Sequence, residues 1–186
     1  MSEIPALRPP DEERHEPERK LEHAPGRFEV PSGYKVLTGS KGGSGKSVAV
    51  VVAKFNGDVT SRLLQRALDE LEEAGVERES VTIVPVPGAF ELPIVAIALA
   101  KTRKYACIVA LGCVIRGETP HFDYIAGEAA SGLQLAAIET GVPVSFGVLT
   151  TESLDQAEAR IDRAADAVRG ALEMAGLFTQ LRVAAK

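Results

Sequence analysis

The sequence predicts an α/β fold, a doubly wound three-layer sandwich around a parallel sheet, and three observations carry that expectation. Apolar segments rich in β-branched residues stand at about 48–54, 81–86, 105–114 and 143–149, each of strand length. Between and after them, apolar residues recur at helical spacing. The two patterns alternate strictly, and alternating βα units imply parallel strands joined by right-handed crossovers, with helices on both faces.

The first core strand follows Ser47 as the run Val48-Ala49-Val50-Val51-Val52-Ala53. A helix over about 59–75 places Leu63, Leu64, Ala67, Leu68 and Leu71 on one stripe, and Gly75 is positioned to end it. A second helix is expected over about 90–102. The third strand, an unbroken apolar run from Tyr105 to Ile115, stops at Arg116, and a third helix is expected over about 121–139. After the fourth strand the chain is Ala-rich and Gly-free from Leu154 to Arg169, which predicts one fused helix from about 153 to near 181. Tyr34–Thr38 is a short strand-like stretch.

Composition narrows the function. A chain of 186 residues, 45% of them hydrophobic, builds one core. The net charge of −5, with basic residues interspersed among acids, argues against a nucleic-acid partner. No apolar run approaches the roughly 20 residues of a membrane helix. Residues 1–33 are rich in Pro, Glu and Arg and poor in large apolar side chains, so they are expected to form a mobile arm ahead of a domain over 34–186. This arm lacks the layout of a secretory signal or a transit peptide, which leaves a cytoplasmic location as the expectation. Cys107 and Cys113 lie on one expected strand about 20 Å apart at about 3.3 Å per residue. They are too distant to pair with each other and read as buried thiols. Three histidines and no Cys/His cluster at ligand spacing leave a metal site without support.

Two motifs compete for the function. Lys41-Gly42-Gly43-Ser44-Gly45-Lys46-Ser47 has the form of a phosphate-binding loop, which needs a helix leaving the glycines so that its first N–H groups can cradle the phosphates. Here a β-branched run follows, so the segment reads as a connector. The other motif is Arg116-Gly117-Glu118-Thr119-Pro120-His121-Phe122-Asp123-Tyr124, which packs polar chemistry into one turn after the third strand. Gly117 permits close backbone approach and Thr119 is placed to cap a helix starting near Pro120. The free N–H groups of that helix start favour an anion, and His121 beside it has an ordinary pKa of about 6.5, suited to proton transfer.

The segments Ala53-Lys54-Phe55-Asn56, Val86-Pro87-Gly88-Ala89-Phe90-Glu91-Leu92-Pro93, Ala110 to Tyr124 and Phe146-Gly147-Val148-Leu149-Thr150-Thr151 occur in this order. Together they resemble the lumazine synthases of riboflavin biosynthesis, over about Val36 to Arg182. The resemblance implies a flavodoxin-like sheet of order 2-1-3-4. It also implies the condensation of 5-amino-6-(D-ribitylamino)uracil with L-3,4-dihydroxy-2-butanone 4-phosphate, which proceeds through an imine, phosphate elimination, ring closure and dehydration without a cofactor. By the same resemblance His121 is the proton-transfer residue. Phe55 stacks on the pyrimidine with Asn56 beside it, while Ala89, Phe90 and Glu91 contact the ribityl chain and ring. Val114 and Ile115 offer backbone contacts to the uracil edge. Gly117, Glu118, Thr119 and Arg160 bind phosphate. Phe146 comes from an adjacent subunit of a pentamer, or of an icosahedral shell of twelve pentamers, and Tyr34–Thr38 adds to a neighbour's sheet.

Read from their own positions, several of these residues have plainer roles. Glu91 fits a first-turn helix acid and Arg160 a solvated helix charge. Asp123 either orients His121 or is a helix acid, and Arg116 pairs with an acid at the sheet edge. The chain also departs from the family after Arg160, where a Gly-Asn-Lys-Gly loop is replaced by Ile161-Asp162-Arg163-Ala164-Ala165-Asp166, about five residues shorter. Arg163 stands in for the lost lysine in charge, though the two are not equivalent at a phosphate. That departure keeps open a second class, a shell or scaffold protein with weakened catalysis.

Overall fold

A computed structural model describes residues 28–184; the greater part of the expected N-terminal arm, residues 1–27, lies outside the described residues. Backbone contacts divide the chain into two units, Met1–Lys35 and Val36–Lys186. The second unit carries the elements β1 (Val48–Ala53), α1 (Gly57–Glu73), β2 (Val81–Val86), α2 (Leu92–Lys101), β3 (Cys107–Ile115), α3 (His121–Thr140), β4 (Val144–Thr151), α4 (Leu154–Glu158) and α5 (Arg163–Ala184). The strands form one parallel sheet in the order β2-β1-β3-β4.

The three layers follow from residue alternation along the two central strands, both buried on each face. Val48, Val50 and Val52 of β1, with Cys107, Val109 and Leu111 of β3, point to one side, where they meet Val59, Leu63, Ala67 and Leu71 of α1 and Ala164, Val168 and Leu172 of α5. Ala49, Val51, Ile108 and Ala110 point to the other, against Leu92, Ala96 and Ala100 of α2 and Ala129, Leu133 and Ala136 of α3. The expected stripe on α1 is the buried one, with Leu64 and Leu68 at its margin.

Gly75 terminates α1 as its sequence position suggests. At φ 83° it takes the left-handed conformation; its N–H donates to Glu72 O and that of Val76 to Leu71 O, both at 2.9 Å. These two bonds, with Val76 and Leu71 both in the core, make the closing turn of a Schellman motif. The same turn accounts for the glycine-rich connector. The N–H of Gly43 donates to Ala74 O at 2.7 Å, and a Cβ on Gly43 would lie 2.2 Å from Val76 Cγ2. No helix leaves these glycines; the chain passes directly into β1. The connector is therefore a close-packed strap over the end of α1.

Three expectations differ from the structure. The region after β4 is two helices, because the chain turns at residues 159–162 with bonds from Arg160 N–H to Ala157 O and from Arg163 N–H to Arg160 O, each 3.0 Å. Neither Gly nor Pro marks the break. Ala157 is buried on α4 and Ala164 and Ala165 on α5, so packing of two separate faces overrides local helix propensity. Thr119 does not cap α3: Pro120 occupies the cap position with φ −63° and ψ −1°, and no side chain caps the helix. Tyr34–Thr38 is not a strand among the described residues of its own chain.

Candidate active site

All four strands run the same way, so their carboxyl ends open on one edge of the sheet. β3 outruns its neighbour there. Its pairing with β1 ends at Val52 and Leu111, whereas its pairing with β4 continues to Ile115 and Thr151. Gly112 to Ile115 thus lie past the end of the β1 ladder, at the reversal of strand order where open α/β sheets have their ligand crevice. Val114 and Ile115, expected to contact substrate through their backbone, lie on this stretch.

The chain leaving β1 turns sharply around the crevice. Asn56 adopts the left-handed region, φ 56° and ψ 47°, which Asn tolerates better than most residues. Its Nδ2 donates to Cys113 O at 2.9 Å and so ties the turn to β3. Phe55 N–H donates to Pro87 O at 3.1 Å. Held at both flanks, the Phe55 ring stands 71% exposed, an open apolar face. The loop after β2 is fixed by Glu91, whose carboxylate accepts the Gly88 N–H at 2.8 Å, while Ala89 is buried and Phe90 is exposed.

After β3, Gly117, Glu118, Thr119 and His121 are all exposed, and the first turn of α3 lacks a side-chain cap. The amides at that helix start remain open toward solvent, a favourable place for a phosphate. Asp123 does not serve His121; its two oxygens accept from Arg116 Nη1 and Nη2 at 3.2 and 3.0 Å. The Arg116 pairing at the sheet edge takes the form the sequence suggested, with Glu152 as an additional partner.

Phe146 and Arg160 are brought together elsewhere. Both line an open cleft of about 450 Å³ beside β4, with Arg163 and Asp166 at the start of α5. Arg160 Nη1 donates to Gln156 O at 2.8 Å and Arg163 Nη1 to Asp166 Oδ2 at 3.1 Å. Phe146 sits opposite Ala110 on β3. The cleft follows the edge strand β4 from Phe146 to Thr150, whereas the carboxyl-end stretch 112–115 faces the gap between β1 and β3, so strand order sets the two apart. One chain therefore presents two partial sites. The position of Glu152 carried no local signal in the sequence, because its partner Arg116 comes from the end of a different strand.

Both cysteines are free and buried, and burial pushes the Cys107 thiol up to about 12 and that of Cys113 to about 11. They are poor nucleophiles. No helix among the described residues is long and apolar enough to cross a membrane.

A parallel sheet with an open crevice at its reversal point and bare amides at the next helix defines a class, the α/β enzymes that hold a small anionic ligand at the carboxyl edge. Comparison with known proteins narrows it. Residues 45–179 match the family model described as 6,7-dimethyl-8-ribityllumazine synthase. A protein of that name from Nitratidesulfovibrio vulgaris (strain DSM 19637 / Miyazaki F) is 45% identical over 152 residues, covering 79% of this chain and 97% of the relative. The chain belongs to the 6,7-dimethyl-8-ribityllumazine synthase family, the transferases that make the lumazine precursor of riboflavin.

Proposed function

We propose that this chain condenses 5-amino-6-(D-ribitylamino)uracil with L-3,4-dihydroxy-2-butanone 4-phosphate at a site shared between two subunits of a homo-oligomer. The separation of the two partial sites carries this reading. Phe55, the crevice of β3 and the uncapped start of α3 lie on one edge, while Phe146 and Arg160 lie in the cleft beside β4. A subunit packed with its β4 side over a neighbour's sheet edge would unite them, in a pentamer or a shell of pentamers.

The division of labour follows from the groups present. The pyrimidine stacks on Phe55, with its polar edge on the backbone of Val114 and Ile115 and its ribityl chain along Ala89, Phe90 and Glu91. The ketone phosphate rests on the amides of Gly117, Glu118 and Thr119, with the Arg160 guanidinium of the adjacent subunit supplying charge. Amine and ketone then join with loss of water, phosphate leaves, and ring closure with a second loss of water forms the lumazine. His121 moves the protons these steps require. Binding both reactants in one pocket supplies the rest of the acceleration by proximity, and no cofactor is called for.

The test is to supply both substrates to the purified full chain, follow lumazine absorbance and weigh the particle. Turnover by an oligomer supports the reading. An assembled particle that makes no lumazine would identify a scaffold, and a turning-over monomer would refute the shared site.

A further inference from the structure

Arg116 is the first residue beyond β3, and none of the steps above uses it. Its N–H donates to Thr151 O at 2.9 Å, so its backbone is still held by the sheet. The side chain reaches outward to two other segments. Nη1 and Nη2 grip the two carboxylate oxygens of Asp123 at 3.2 and 3.0 Å, and Nε lies 3.1 and 2.9 Å from the two oxygens of Glu152. The guanidinium carbon stands 4.2 Å from the centroid of the Phe122 ring. Asp123 and Phe122 belong to the first turn of α3, and Glu152 is the residue after β4.

The chain between Arg116 and Asp123 is Gly117-Glu118-Thr119-Pro120-His121-Phe122, the loop that offers amides to phosphate together with the imidazole. Among the described residues no side-chain hydrogen bond is formed by Glu118, Thr119 or His121, and residues 116–121 are exposed. Beside the backbone bond from Asp123 N–H to Pro120 O at 3.0 Å, the loop's side-chain restraint therefore comes from the guanidinium that closes its base. A fork that is planar, bidentate to one acid and stacked on a ring fixes orientation in a way an ammonium does not. Each pair is exposed, so the clamp adds little to global stability.

We propose that Arg116 is a positioning residue that locks the Gly117–His121 loop between the ends of β3 and β4 and thereby sets the phosphate-binding half of the site. The inference rests on the functional reading above, and its test can fail separately. The full chain would be compared as wild type, Arg116→Gln, Arg116→Lys and Asp123→Asn, with kinetics for both substrates and calorimetric titration with inorganic phosphate. In Arg116→Gln, KM for the butanone phosphate and Kd for inorganic phosphate should each rise about tenfold, as expected for a misplaced binding group. KM for the pyrimidine should stay within about twofold, with melting temperature and particle mass unchanged. Arg116→Lys should keep most of the defect, and Asp123→Asn should add nothing to Arg116→Gln because the two act as one unit. Arg78→Gln, which breaks the comparable surface pair with Glu72, should leave every constant unchanged.

Equal rises in both KM values, full rescue by lysine, or a phosphate affinity indifferent to Arg116 would each overturn the clamp. The phosphate titration needs no turnover. A wild-type chain that made no lumazine would thus sink the functional reading while the titration still decided the role of Arg116, and a wild type that bound no phosphate would decide against it.

Discussion

His121 and Phe55 share one trait: each is an exposed side chain that makes no side-chain hydrogen bond among the described residues. If His121 moves protons, His121→Ala should lower kcat by about 10²-fold at neutral pH, with KM for the pyrimidine little changed. Removing the Phe55 ring should act on binding. Loss of a stacking face worth about 1 kcal/mol raises KM for the pyrimidine by about fivefold in Phe55→Ala, leaving the butanone phosphate term near its original value. The cysteines give the opposite case. With both thiols buried and pushed up to about 12 and about 11, neither should react with iodoacetamide at pH 8 in the folded protein, and both should react in denaturant. Mass spectrometry of the alkylated chain reads this directly.

Helices α1 and α5 cover one face of the sheet and are joined by a carboxylate that neither could hold alone. Glu70 is buried, and its Oε2 accepts from Arg66 at 2.9 Å on the same helix and from Arg169 at 2.8 Å on α5. Arg169 also donates to Asp166, and Arg66 to Asp162 in the turn before α5. Glu70→Ala would leave two guanidiniums facing each other over the core edge and should destabilise the fold by about 2 kcal/mol in urea unfolding, more than Glu70→Gln. The hydrogen bond from Arg169, then that from Arg163, holds the Asp166 carboxyl below its ordinary range. A depressed carboxylate contributes stability above the unfolded value of about 3.9, and that contribution is lost as pH falls through the lower folded value. Melting temperature should therefore decline in acid, and less steeply in Asp166→Asn. At this scale the strands were legible in the sequence, because burial on both faces demands the unbroken apolar runs of β1 and β3. The break between α4 and α5 was not, since no residue from Ala159 to Asp162 signals a stop and only packing against the sheet and α1 makes one. Thr119 misled for a related reason: Pro120 already has helical dihedrals, so the cap position falls one residue later than a cap-then-proline pattern implies.

For the molecule as a whole, the candidate residues were legible through motifs, but their grouping was not. The crevice exists because β3 pairs with β4 for four residues beyond its last partner on β1, a difference in register that no single segment records. The split between the crevice and the cleft likewise emerges only from the strand order, which puts the reversal point between β1 and β3 and the cleft along the edge strand β4. If the catalytic unit spans two subunits, a defect on one side can be complemented by a defect on the other. His121→Ala spoils the crevice half and Arg160→Ala the cleft half, so each homo-oligomer should be impaired. When both variants are co-expressed and mix at random in a closed ring, a site is intact only where an Arg160→Ala subunit supplies its histidine side and a His121→Ala subunit its arginine side. Each choice has a chance of about one half, so roughly a quarter of the sites, and of wild-type turnover, should return. Separately assembled variants mixed afterwards should recover nothing until subunits exchange. Activity in the co-expressed ring no greater than the average of the two parents would place His121 and Arg160 in the same subunit's pocket and remove the need for assembly.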